Sequence, residues 1–140
     1  MLSQLTVEIV KATAPVVAKN SEAITSTMYD ILFTKYPQIK DLFKDAAPDQ
    51  HKKLAGAVSA YAANIDNLEV LSAAVEKMAA SHVGANVKPE HYPIVGECIL
   101  EAIGKVLGEA ATPEIVEAWS EAYFFLADIL IKREKELYDS

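Results

Sequence analysis

Basic residues are in the minority, with 13 Lys and Arg against 20 Asp and Glu and a formal net charge of -7. A surface of that sign does not attract phosphate backbones or anionic lipid, so nucleic acid is not an expected partner. Cysteine is nearly absent. The lone Cys98 cannot form an internal disulfide, which suits a reducing compartment, and its helical neighbours Val95, Ile99 and Ala102 make it read as a buried, inert thiol. Glycine occurs only 5 times and proline 6. No strand-like alternation persists between turn signals, which argues against a β-rich fold. No segment is long and uncharged enough to span a bilayer, so membrane insertion is not expected. The first residues place Glu8 and Lys11 among apolar positions, unlike a secretory leader, and a cytoplasmic protein is expected.

What remains is a chain of 140 residues that is 51% hydrophobic, enough for one domain over residues 1–140. Helical periodicity runs through it. After a Ser3 cap, a first helix carries Leu5, Ile9 and Ala12 and is expected to be interrupted near Pro15. Asn20 or Ser21 caps a second, with Ile24, Met28, Ile31 and Leu32 as its stripe, ending before Tyr36-Pro37. Pro37 opens a short helix through Phe43, and a loop over Lys44 to Pro48 leads to Asp49. Gln50, Leu54, Val58, Tyr61 and Ile65 then share one side, and Leu68, Leu71, Val75, Met78 and His82 form another stripe stopped by Gly84. Two longer helices follow. Pro89 opens one with Tyr92, Val95, Ile99, Ile103 and Val106, ending around Gly108; Thr112-Pro113-Glu114 starts the other, with Ile115, Trp119, Tyr123, Leu126 and Leu130 inward. Unequal helices with short connectors fit crossed packing better than a bundle of four equal rods.

The order of particular residues is more specific than the periodicity. Met28-Tyr29-Asp30 is followed by Tyr36-Pro37, Asp41-Leu42-Phe43, Asn64-Ile65-Asp66-Asn67-Leu68 and His82. Then come His91-Tyr92-Pro93-Ile94-Val95-Gly96 and Ala118-Trp119-Ser120-Glu121-Ala122-Tyr123. Over essentially its whole length the chain resembles the bacterial single-domain haemoglobins and the globin half of the flavohaemoglobins. The resemblance implies an all-α globin fold whose crossed helices enclose a haem b (iron protoporphyrin IX) pocket between the helix of Gln50 and that of His82. It makes His82 the ligand of iron. An inward imidazole at the end of an apolar stripe has the right chemistry, although a lone inward His is also commonly a core residue satisfied by a hydrogen bond.

On the oxygen-binding side the resemblance implies Tyr29, Gln50 and Leu54 facing the ligand and Phe43 packing on the haem. A phenol and an amide donor aimed at oxygen slow its release, and Leu54 keeps water out. Read without the family, Tyr29 is a core tyrosine and Gln50 a solvated glutamine. On the opposite side, Tyr92 and Glu134 match a tyrosine and a glutamate that hydrogen-bond near the iron-binding imidazole; a carboxylate there pushes electron density toward the metal and favours activation over storage. Within Lys132-Arg133-Glu134-Lys135-Glu136, Glu134 also reads as part of a solvated terminal turn. His51 and His91 read as surface histidines.

Three departures from the family pattern stand out: Ser81 where flavohaemoglobins have lysine, Phe124 where relatives have glycine, and a short connector between Phe43 and Gln50. No flavin- or nicotinamide-binding part follows in this sequence, so the resemblance implies a separate electron-donating reductase. The expected function is oxygen binding at ferrous iron with conversion of nitric oxide to nitrate. The alternatives are oxygen storage or delivery without catalysis, and a haem-based sensor acting through a separate partner.

Overall fold

A computed structural model describes residues 2–43, 50–84 and 87–139, without the side chains at 41–43, 50, 51 and 53. These are α1 (Gln4–Lys19), α2 (Ser21–Lys35), a 3-10 segment (Pro37–Phe43), α3 (Gln50–Ala63), a second 3-10 segment (Leu68–Leu71), α4 (Ser72–Gly84), α5 (His91–Leu107), a third (Gly108–Ala110) and α6 (Pro113–Asp139). The all-helical reading holds, and among the described residues there is no strand. The expected loop over 44–48 and Asp49 lies outside the described residues.

The Ser3 hydroxyl accepts the Thr6 N–H and caps α1 as the sequence predicts. Two expectations for this helix fail. α1 is not interrupted at Pro15 but runs on to Lys19, and its buried residues are Thr6, Val10 and Val17 rather than the stripe of Leu5, Ile9 and Ala12. Leu5 is 64% exposed. Two apolar stripes one residue apart, about 100° around the helix, coexist in this sequence, and tertiary packing selects the second. Pro15 removes one helical hydrogen bond. Contacts of α1 with α3 and α6 offset that loss, and Trp119 Nε1–H donates to Thr13 Oγ1 at 2.8 Å.

The stripe on α2 is buried as expected at Ile24, Met28, Ile31 and Leu32. Each such side chain contributes about 1.5–3 kcal/mol when removed from water. α2 lies on α3 and α5, α1 on α3 and α6, and α5 on α6. Gly108, at φ +57° and ψ -126°, ends α5 in a conformation that a side chain would strain. At the start of α6, Thr112 Oγ1 accepts the Ile115 N–H.

α4 differs from the rest. It packs chiefly on α6, and Ala79 is its one fully buried residue, with Val75, Met78 and His82 half-buried. The apolar interior accordingly forms two clusters. The larger unites residues from α1, α2, α3, α5 and α6; the smaller centres on Ala79, Tyr92, Ala127 and Leu130, and both reach Tyr123 and Leu126.

Candidate functional site

The smaller cluster carries the polar group that needs explaining. Glu134, 3% exposed, is the only buried acid among the described residues, although its sequence neighbours read as a solvated turn. On the 27-residue α6 its position falls on the inward face, beneath α4. An unpaired carboxylate there would cost several kcal/mol; Glu134 is paired twice.

Tyr92 Oη–H donates to Glu134 Oε2 at 2.6 Å. His82 Nδ1 lies 2.9 Å from Tyr92 Oη and 3.0 Å from the same carboxylate oxygen. Because the phenol hydrogen is committed to Glu134, Tyr92 can only accept from the imidazole, and a carboxylate can only accept. Both contacts therefore require hydrogen on Nδ1, which leaves the Nε2 lone pair of neutral His82 uncommitted. Burial, and then the hydrogen bond to Glu134, push the Tyr92 phenol well above its ordinary pKa, so the hydroxyl stays protonated as that pattern needs.

This triangle is held from outside. Tyr123 Oη–H donates to the Tyr92 carbonyl at 2.8 Å, fixing the first turn of α5. The Tyr123 ring crosses α5 at Gly96, where a Cβ would lie 2.7 Å from its Cε2 and 3.2 Å from Phe124 Cζ. Phe124 packs edge-on against Tyr123, ring centroids 5.1 Å apart; the departure at this position thus bears on the α5–α6 crossing. Val87 N–H donates to the His82 carbonyl at 2.9 Å, and Tyr138 Oη–H to the Val87 carbonyl at 2.8 Å. The Lys88 ammonium sits 4.2 Å above the Tyr138 ring.

On the other side, Tyr29 of α2 and Leu54 and Val58 of α3 are half-buried at the margin of the larger cluster. The Tyr29 ring stacks on Phe33, centroids 5.7 Å apart. Phe43 ends its 3-10 segment and Gln50 begins α3, but the side chains expected at the haem from these two positions lie outside the described residues. The structure thus joins His82, Tyr92 and Glu134 by direct contact, while Tyr29 and Leu54 lie on α2 and α3 against the other apolar cluster. None of these residues lines the cavity of about 310 Å³ between the end of α3, α4 and α6, walled by Tyr61, Leu71, Val75 and Leu126.

The globin family model matches residues 26–130. The chain belongs to the globin family. It is 51% identical over 138 residues to an uncharacterised globin-like protein of Aquifex aeolicus, covering 99% of this chain and 98% of that one. To a flavohaemoprotein of Rhodopirellula baltica it is 54% identical over 142 residues. That match covers 99% of this globin, which spans 35% of the flavohaemoprotein's length. An engineered carbene transferase from Rhodothermus marinus, built on a parent named as a candidate nitric oxide dioxygenase, superposes with a TM-score of 0.95. It is 44% identical and the match covers 99% of this globin and 97% of that chain.

Globins are haem proteins, and the residues of this one fit the group. A histidine with Nδ1–H fixed by a carboxylate and Nε2 uncommitted is the donor that haem iron takes. Half-buried apolar side chains from α3 (Leu54, Val58), in the larger cluster, and from α4 (Val75, Met78), in the smaller, are of the kind that would hold a flat apolar ring. Tyr123 and Tyr138 enter the network without having been singled out for it. Tyr123 was visible as an inward residue and within the motif ending Ala122-Tyr123, whereas Tyr138 carried no local signal.

Proposed function

We propose that this globin, taken as one domain over residues 1–140, binds haem b through His82 Nε2 and combines oxygen with nitric oxide to give nitrate. A separate reductase would return the iron to its ferrous state. Haem, when bound, supplies the site for diatomic gases and the one-electron chemistry.

The observation that carries the reading is the Glu134 carboxylate 3.0 Å from His82 Nδ1. An imidazole that donates to a carboxylate is a more basic ligand and shifts electron density toward the metal, which favours activating a ligand over releasing it unchanged. Oxygen storage has no use for a buried acid that is costly to place. Tyr92, by giving its hydrogen to Glu134, fixes which carboxylate oxygen faces the imidazole. On the oxygen side, Tyr29 is taken as the hydrogen-bond donor and Leu54 as the residue that excludes water; the parts of Gln50 as a second donor and Phe43 against the haem rest on the family resemblance alone.

The relatives support the reading through their names: the flavohaemoprotein couples a globin part to much additional chain, and the Rhodothermus parent is named for nitric oxide chemistry. The test is the purified protein loaded with haem and reduced under oxygen. It is expected to consume nitric oxide rapidly and to yield nitrate one for one. Slow consumption, or a product other than nitrate, would reduce the reading to oxygen binding. Full retention of the Soret band with unaltered ligation in His82→Ala would remove the ligand assignment itself.

A further inference from the structure

The connector between α4 and α5 is pinned by a histidine that the reaction does not use. His91, half-buried in the first turn of α5, accepts the Lys88 N–H on its Nδ1 at 2.9 Å. The Lys88 carbonyl in turn accepts the His91 N–H at 3.0 Å. This is one half of a capping-box pattern, a side chain reaching back to the N–H three residues before it, with imidazole in place of the usual carboxylate or amide; the return bond is backbone to backbone. A carboxylate or amide keeps its acceptor at any neutral pH; an imidazole keeps it only while uncharged, with its hydrogen on Nε2.

We propose that His91 is a positioning residue for His82 that works only in its neutral form. The route is short. Lys88 follows Val87, whose N–H holds the His82 carbonyl and whose carbonyl is held by Tyr138. Lys88 is also the residue whose ammonium rests over the Tyr138 ring. Protonation of His91 turns Nδ1 into a donor facing another donor and adds a positive charge beside the Lys88 segment. The cap opens, and the backbone tie to His82 loosens with it. Among the described residues, the charged and titratable groups tied to the connector are Lys88 and Glu90 on the segment itself, His82 from α4, and Tyr138 from α6 with Glu134 behind them. Glu134 is committed to His82 and Tyr92, and Tyr138 to Val87, so His91 is the group there whose loss of an acceptor would free the Lys88 N–H.

The effect on a bound haem rests on the function proposed above, but the cap is measured without it. The experiment is amide hydrogen exchange by NMR on the full chain, with and without added haem, followed from about pH 8 to about pH 5, the range in which histidine changes charge. Protection at Lys88, corrected for intrinsic exchange, is expected to fall about fivefold with acid, the worth of one cap of about 1 kcal/mol, and protection at Val87 to fall with it. His91→Gln, which keeps an acceptor that does not titrate, is expected to hold both amides protected across the range. His91→Phe is expected to leave both weakly protected throughout. In the reduced haem-loaded protein, the iron–imidazole stretching frequency is expected to shift with the same midpoint in wild type and to stay level in His91→Gln.

PH-independent protection in wild type overturns the proposal, as does pH dependence that survives in His91→Gln. A response at Lys88 without one at Val87 overturns the positioning role. Failure of the chain to take up haem would defeat the function proposed above and leave the amide result standing.

Discussion

Tyr123 lies across α5 at the one point where Gly96 leaves room for its ring, and its hydroxyl holds the Tyr92 carbonyl 2.8 Å away. Substitution of Gly96 by alanine places a methyl group 2.7 Å from Tyr123 Cε2, so the ring or the helix must move. Overpacking of this kind costs about 1–3 kcal/mol, of which alanine's better helix propensity returns about 1 kcal/mol. A net loss of up to about 2 kcal/mol is expected, seen as a lower urea midpoint at unchanged slope. An undiminished midpoint would mean that the crossing has slack.

Glu134→Gln keeps an acceptor and a similar volume but removes the negative charge behind the imidazole. Haem uptake is expected to persist while nitric oxide consumption falls by about 10- to 100-fold, the usual range for loss of a partner hydrogen-bonded to a metal ligand. The iron–imidazole stretching frequency should drop as well. Unchanged rate and frequency together would show that the carboxylate serves packing alone.

Tyr29→Phe removes the hydroxyl and keeps the ring that stacks on Phe33. The oxygen dissociation rate should rise by roughly tenfold or more, since a hydrogen bond to a charged acceptor is worth about 1.5–3 kcal/mol. Stopped-flow displacement of oxygen measures this directly. A dissociation rate equal to wild type would place the Tyr29 hydroxyl elsewhere.

Glu121 ties the start of α1 to α6. The Thr6 hydroxyl donates to one of its oxygens at 2.6 Å and the Ser3 N–H to the other at 3.3 Å, and these bonds, Thr6 first, hold its carboxyl below the ordinary range. A folded-state pKa below the unfolded one contributes stability above the unfolded-state value, about 4.3 for glutamate, and loses it as pH falls through the folded value. Glu121→Gln should therefore be less stable than wild type at neutral pH, and the gap should close under acid. A gap that is constant from neutral pH to about pH 3 would show that the charge of Glu121 plays no part.

Helix boundaries were largely legible because their signals are local. Ser3 as a cap, Pro37 at the head of the 3-10 segment, Gly108 past the end of α5 and Thr112-Pro113 before α6 each act through their own backbone. The face of α1 was not legible, since two overlapping stripes satisfy the same periodicity and only contact with α3 and α6 distinguishes them. The stripe from Leu68 to His82 concealed a change from 3-10 to α geometry at Ser72, because apolar spacing of three and four suits both. At the site, Tyr92 and Glu134 were legible only through the family resemblance: 42 residues separate them, and no local pattern distinguishes a glutamate folded under a helix from one in water. His91, read as a surface histidine, is half-buried, and its bond to the Lys88 N–H is not announced by its neighbours in the sequence.

The placement of α4 has a consequence for how the protein assembles. A helix that rests chiefly on one neighbour and fully buries only Ala79 gains little from the main hydrophobic interior, and it forms a cooperative unit of its own. Its amides are expected to exchange through local openings that leave α1, α2 and α5 intact. His82 belongs to that unit, so the helix proposed to carry the ligand is expected to be less protected than the main interior. A cofactor that joins α4 to α3 would supply the missing burial, which makes capture of the cofactor and completion of the fold a single event.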